Sequence, residues 1–153
     1  MPHLILVVLA LFASVASAEV HQYVVTGRVI CKSEPFSRII RTVELWDPNS
    51  FSKDQNLGVA SPNYHGEFVL RGSKSEFFSS KEPYLRIFST CNAKLDCMRE
   101  SKFYLSDDKK ETFQHIKAYR MGDLILEDAN NTKFNCKQIT FAPYPTFHIP
   151  DAA

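Results

Sequence analysis

The chain has 153 residues, 44% of them hydrophobic and 23% charged, with five glycines, eight prolines and a formal net charge of +1. That composition excludes collagen-like, low-complexity and largely disordered chains. A charge so near zero argues against a nucleic-acid binder, which needs a basic stripe to displace phosphate counterions. The length predicts one folded domain.

Residues 4–15 form an apolar run, followed by the small residues Ala16-Ser17-Ala18 that a signal peptidase reads. Residues 1–18 are therefore expected to be a secretory signal peptide, cut before Glu19. Polar residues from Glu19 to Gln22 close the run short of the roughly 20 apolar residues a membrane span needs. The expectation is an extracellular protein that is not integral to the membrane.

Cys31, Cys91, Cys97 and Cys136 all follow that run. In an oxidising compartment four cysteines imply two disulfides, with three possible connectivities. A zinc site fails on spacing, because there is no C-x2-C pair and no histidine at ligand spacing from a cysteine. Asn130-Asn131-Thr132 is an N-glycosylation acceptor at Asn130.

Residues 23–32 alternate, with Tyr23, Val25, Gly27, Val29 and Cys31 on one face, the pattern of a half-buried strand. Residues 41–47 repeat it, Val43 and Leu45 facing inward and Trp46 outward, until Asp47-Pro48-Asn49-Ser50 stops the strand. Residues 57–60 make a short third strand. Asn63 is expected to close a turn in which Gly66 takes positive φ, and Phe68 then enters the core with Leu70. Gly72 and the neighbouring serines end that fourth strand, and residues 73–80 have room for one helical turn.

Pro83 opens the next strand, over residues 84–91, with Leu85, Ile87, Ser89 and Cys91 on one face. Residues 97–105 put Phe103 and Leu105 on the parity of Cys97, residues 107–111 read as a solvated charged turn, and residues 119–126 form the last strand. From Ala129 onward the prolines at 143, 145 and 150 favour coil tied down by Cys136. Its aromatics Phe141, Tyr144 and Phe147 either cover a sheet edge or belong to a free tail. The fold class is all-β: an antiparallel two-sheet sandwich of about seven to eight strands. Its domain spans residues 19–136, before a Pro-rich tail over 137–153.

No catalytic constellation stands out. His21, His65, His115 and His148 lie beside loop or strand-end signals without a metal pattern, and no serine sits in a G-x-S-x-G elbow. Trp46 on its strand, and Tyr84, Arg86 and Phe88 on theirs, share the outward parity. They are the candidate interaction patch, the alternative being sheet surface covered by neighbouring side chains.

The order of these pieces resembles the transthyretin-like family of secreted nematode proteins. The carrying segments are Val25-Thr26-Gly27-Arg28-Val29-Ile30-Cys31-Lys32, Val43-Glu44-Leu45-Trp46-Asp47 and Gly66-Glu67-Phe68-Val69-Leu70-Arg71-Gly72. Pro83-Tyr84-Leu85-Arg86-Ile87-Phe88-Ser89-Thr90-Cys91 and Tyr119-Arg120-Met121-Gly122-Asp123-Leu124-Ile125-Leu126-Glu127 follow in the same order.

The resemblance implies a transthyretin-type sandwich with bridges Cys31–Cys91 and Cys97–Cys136. It also implies a non-enzymatic extracellular binding module. Its ligand would be a lipophilic small molecule, a lipid headgroup or a cell-surface protein, with no cofactor and no nucleic acid. The alternative is a protein–protein interaction factor without a small ligand. A relative that hydrolyses 5-hydroxyisourate ends in Tyr-Arg-Gly-Ser, whereas here Tyr119-Arg120 lies inside the chain and is followed by Met121-Gly122. Hydrolysis is thus not expected. Residues 103–115 depart from the family pattern, and with the tail they favour a monomer or weak homodimer.

Overall fold

A computed structural model describes residues 20–34, 40–49, 53–75 and 81–137. Its strands are β1 (Val20–Ile30), β2 (Ile40–Asp47), β3 (Gln55–Ala60), β4 (Glu67–Ser75) and β5 (Tyr84–Ser89). They are followed by β6 (Cys97–Tyr104), β7 (Lys110–Phe113), β8 (Ile116–Ile125) and β9 (Asn131–Cys136). Two sheets form, in the orders β4-β1-β8-β7 and β3-β2-β5-β6-β9. The β1–β8 pair is parallel and the other pairs are antiparallel.

The period-two pattern explains the core. Tyr23, Val25 and Val29 of β1 meet Val43 and Leu45 of β2, Leu70 of β4, Leu85 and Ile87 of β5 and Tyr119 of β8, all buried. Strands with one apolar face must bury it against a second layer, and the sandwich does so. At one side of the sandwich the two edge strands come backbone to backbone. A Cβ on Gly58 of β3 would stand 2.2 Å from the Arg71 carbonyl oxygen of β4, so only glycine fits there.

The turn before β4 forms as its residues dictate. Asn63 Oδ1 accepts the backbone N–H groups of His65 and Glu67, each at 2.9 Å. Gly66 has φ +79°, and its carbonyl accepts the Val29 N–H at 2.8 Å. Phe68 follows into the core.

Three local expectations are corrected. β4 does not stop at Gly72 but runs to Ser75, so Ser73–Ser75 are strand rather than helical turn, and residues 76–80 of that expected turn lie outside the described residues; pairing with Val20–Gln22 of β1 outweighs the weak strand propensity of Gly and Ser. The expected solvated turn is present over Asp107–Lys109, as an exposed 3-10 turn, but ends there, since Lys110 and Glu111 begin β7. Residues 131–136 are not coil: β9 pairs with β6 from Lys102↔Asn131 to Cys97↔Cys136. β9 is therefore the outer strand beside β6, while the expected cover from Phe141, Tyr144 and Phe147 lies outside the described residues, as do the signal peptide and His148.

Cys31 is bonded to Cys91, and Cys97 to Cys136, at sequence separations of 60 and 39. Chain entropy alone makes each bridge worth about 4 kcal/mol. The first ties the ends of β1 and β5 together, joining the two sheets; the second staples β9 to the edge of β6.

Candidate functional site: the outer face of the five-stranded sheet

Antiparallel register assembles this face from four strands. Trp46 lies opposite Tyr84, Glu44 opposite Arg86 and Thr42 opposite Phe88. Across β6, Tyr84 faces Tyr104, Arg86 faces Lys102 and Phe88 faces Glu100. On β9, Asn131 faces Lys102 and Lys133 faces Glu100. Directly opposed side chains are close enough to interact, so the face forms a continuous polar and aromatic network.

Arg86 is the centre of that network. Its guanidinium carbon lies 4.6 Å from the Trp46 ring centroid and 5.4 Å from that of Phe88, and its Nε and Nη2 each reach Glu100 Oε1 at 2.8 Å. Trp46 Nε1 donates to Glu44 at 2.7 Å. The structure thus brings together all four residues of the predicted patch, but it corrects their exposure. Tyr84 is buried, and Trp46, Arg86 and Phe88 are half-buried, because Lys102 lies over the Tyr84 ring and the charge of Arg86 is already satisfied.

Beside the patch is a depression of about 290 Å³, with Tyr84, Lys102, Asn131 and Lys133 in its wall and Asp54, Arg86 and Glu100 completing it. Lys102 Nζ sits 3.7 Å from the Tyr84 ring centroid and 5.0 Å from that of Tyr104. The Tyr84 hydroxyl donates to Asp54 at 2.5 Å. Burial, and then that hydrogen bond, push the Tyr84 hydroxyl well above the ordinary tyrosine range. Asp54 and Glu100 therefore have partners. Among the described residues no carboxylate lies within ion-pair distance of Lys102 or Lys133, although Asp54 and Glu100 share the depression with them.

Sequence reasoning missed Asp54, Lys102, Asn131 and Lys133. Lys102 was legible from its parity with Met98 and Glu100; Asn131 and Lys133 became visible only once β9 was placed beside β6.

Two further side-chain groups among the described residues have their atoms engaged elsewhere. Cys31, Cys91 and Glu127 are the only group of three potential metal ligands among the described residues, and both sulfurs are consumed in a disulfide. Tyr119 is buried, with its hydroxyl on Glu82 at 2.6 Å, whereas Arg120 is exposed and pairs with Glu111, so the Tyr-Arg pair points to opposite faces. Among the described residues no helix is long and apolar enough to cross a membrane.

Parts of the chain are similar to known proteins. Transthyretin-like protein 2 of Caenorhabditis elegans is 30% identical over 71 residues, which cover 44% of this chain and 47% of that protein. The match therefore spans about half of that relative's length. Among solved structures, a 9R-lipoxygenase from Cyanothece aligns over 70% of this chain and 16% of its own, at 18% identity and a TM-score of 0.43. A sequence model described as the transthyretin-like family matches residues 26–106, which run from β1 to just past β6. With more than half its length inside that match and its strands in two disulfide-linked sheets, the chain belongs to the transthyretin-like family.

Proposed function

We propose that the protein is an exported, non-catalytic binding module that works through the outer face of its five-stranded sheet. The depression at Lys102 and Lys133 takes an anionic group the size of a lipid headgroup. The single observation behind this reading is that pair of lysines without ion-pair partners among the described residues, in one depression, Lys102 lying over the Tyr84 ring. A carrier of a lipophilic molecule is less well supported, because buried side chains occupy the space between the sheets. Export is supported by the apolar N-terminal run and by two disulfides.

Vesicles with and without phosphatidylserine test the reading. The protein should bind the anionic vesicles, lose that binding with rising salt, and lose it in the Lys102→Ala/Lys133→Ala variant. Equal retention by neutral vesicles, or unchanged binding by the double variant, would discard it.

A protein-contact role without a small ligand is the second reading, favoured by Tyr104, which is 57% exposed beside the Trp46–Arg86–Phe88 ladder. Asn130 is proposed to carry an N-linked glycan: it is exposed, and its side-chain oxygen accepts the Tyr104 N–H at 3.2 Å. The proposed state is a monomer or weak dimer, with β9 rather than β6 as the outer strand of its sheet.

A further inference from the structure

Glu127 lies in the 3-10 turn Leu126–Asp128 that follows β8. Its Oε1 is 3.7 Å from the sulfur of Cys31 and 3.7 Å from that of Cys91. The oxygen is held there by the Ser33 N–H and Asn92 Nδ2, each donating at 3.3 Å. Ser33 Oγ in turn donates to Asn92 Oδ1 at 2.5 Å, which locks the two residues flanking the bridge to each other. The cystine itself is buried, whereas Glu127 is half-exposed. Burial alone would raise the carboxyl's pKa, but hydrogen bonds from the backbone of Lys32, Glu127 and Ser33 outweigh it and hold the pKa below the usual range. The group is a carboxylate at neutral pH.

We propose that Glu127 guards the Cys31–Cys91 bridge, its fixed negative charge slowing attack by thiolates. Reduction begins when a small thiolate attacks one sulfur; the S–S bond breaks, and the other cysteine leaves as a thiolate with the bonding electron pair. A second thiolate then displaces the mixed disulfide, so that two external thiols are oxidised to a disulfide while the cystine gains two electrons and two protons. The incoming sulfur must carry its negative charge up to Glu127, and the departing sulfur develops one beside it. The second bridge supplies an internal control, since among the described residues no carboxylate is seen against the sulfurs of Cys97 and Cys136.

The test uses the full chain with both bridges intact, comparing it with Glu127→Gln, which keeps the shape and the acceptor oxygen. Each bridge is followed separately by alkylation and peptide mapping. With 2-mercaptoethanol at neutral pH, Cys31–Cys91 should be reduced about tenfold faster in the variant, while Cys97–Cys136 keeps its rate. An uncharged phosphine should give a smaller acceleration, because only the leaving sulfur is then anionic. Unchanged thiol rates, or equal acceleration by thiol and phosphine, would overturn the proposal; the latter would mean that the variant simply opens the structure. In the unaltered protein, a cationic thiol should outpace an anionic one more strongly at Cys31–Cys91 than at Cys97–Cys136, and equal ratios would also overturn it.

Discussion

Lys74 Nζ lies 2.8 Å from Asp47 Oδ1, with both side chains under one-tenth exposed, and the pair joins β4 of one sheet to β2 of the other. The same ammonium donates to the Lys81 carbonyl at 3.1 Å. Removing one partner strands a buried charge, whereas removing both leaves space for apolar packing. Lys74→Met should therefore cost about 3–5 kcal/mol in a denaturant titration, and Lys74→Met/Asp47→Leu should recover most of that loss. A double variant as weak as the single one would refute this account of the pair.

Gly66 carries two constraints at once. Its φ of +79° costs a side chain about 1–3 kcal/mol, and a Cβ would also stand 2.3 Å from the Val29 carbonyl oxygen. Gly66→Ala and Gly66→Val should both be strongly destabilising. Gly66→Asn should not rescue, although asparagine tolerates positive φ, because the collision with Val29 remains. Thermal melts of the three variants check this; a near-native Asn variant would mean that backbone conformation alone sets the requirement.

Tyr84 and Tyr119 predict the response to alkali. Burial first, and then hydrogen bonds to Asp54 and Glu82, hold both hydroxyls well above the ordinary tyrosine value of about 10. With the folded value raised, their contribution is intact below the unfolded value and is lost as pH rises beyond it. A titration followed by tyrosinate absorbance should show these two ionising together with unfolding, after the exposed tyrosines. Tyr119→Phe should remove one late-titrating group. Smooth ionisation of every tyrosine near the ordinary value, without loss of structure, would contradict the geometry.

Asn130 gives a direct test of export and modification together. Expressed with its own N-terminus in a secreting eukaryotic cell, the protein should appear in the medium with a glycosidase-sensitive mass increment that Asn130→Gln abolishes. An unmodified secreted product would remove the glycan from the proposal.

Much of the fold was legible because side-chain alternation is a local property. Val25, Val43, Leu45, Leu85 and Ile87 were assigned to the core from parity, and the structure buries them fully. Arg99 shows where parity misleads. It shares the inward face with Cys97 and Phe103 and is buried, a position that composition argues against for a charge. Its Nη2 donates to the Leu126 carbonyl at 2.6 Å, in the turn after β8, and its Nε to Ser101 of its own strand at 3.1 Å; the distant carbonyl is not visible from strand parity. The candidate site was half-legible for the same reason. Trp46, Tyr84, Arg86 and Phe88 could be grouped by strand parity, but the lysines beside them depend on the β6–β9 pairing, which residues 131–136 reveal only in their tertiary setting.

The placement of β9 has a consequence for solubility over time. A strand lying along the flank of a sheet acts as a lid on its hydrogen-bonding groups, and here the lid is fastened by a single cystine at one end. Cutting that cystine would let residues 131–136 peel away and leave β6 as an open template on which further copies can stack. Whether β9 or β6 forms the outer strand of this sheet would then depend on redox conditions as well as on folding energy.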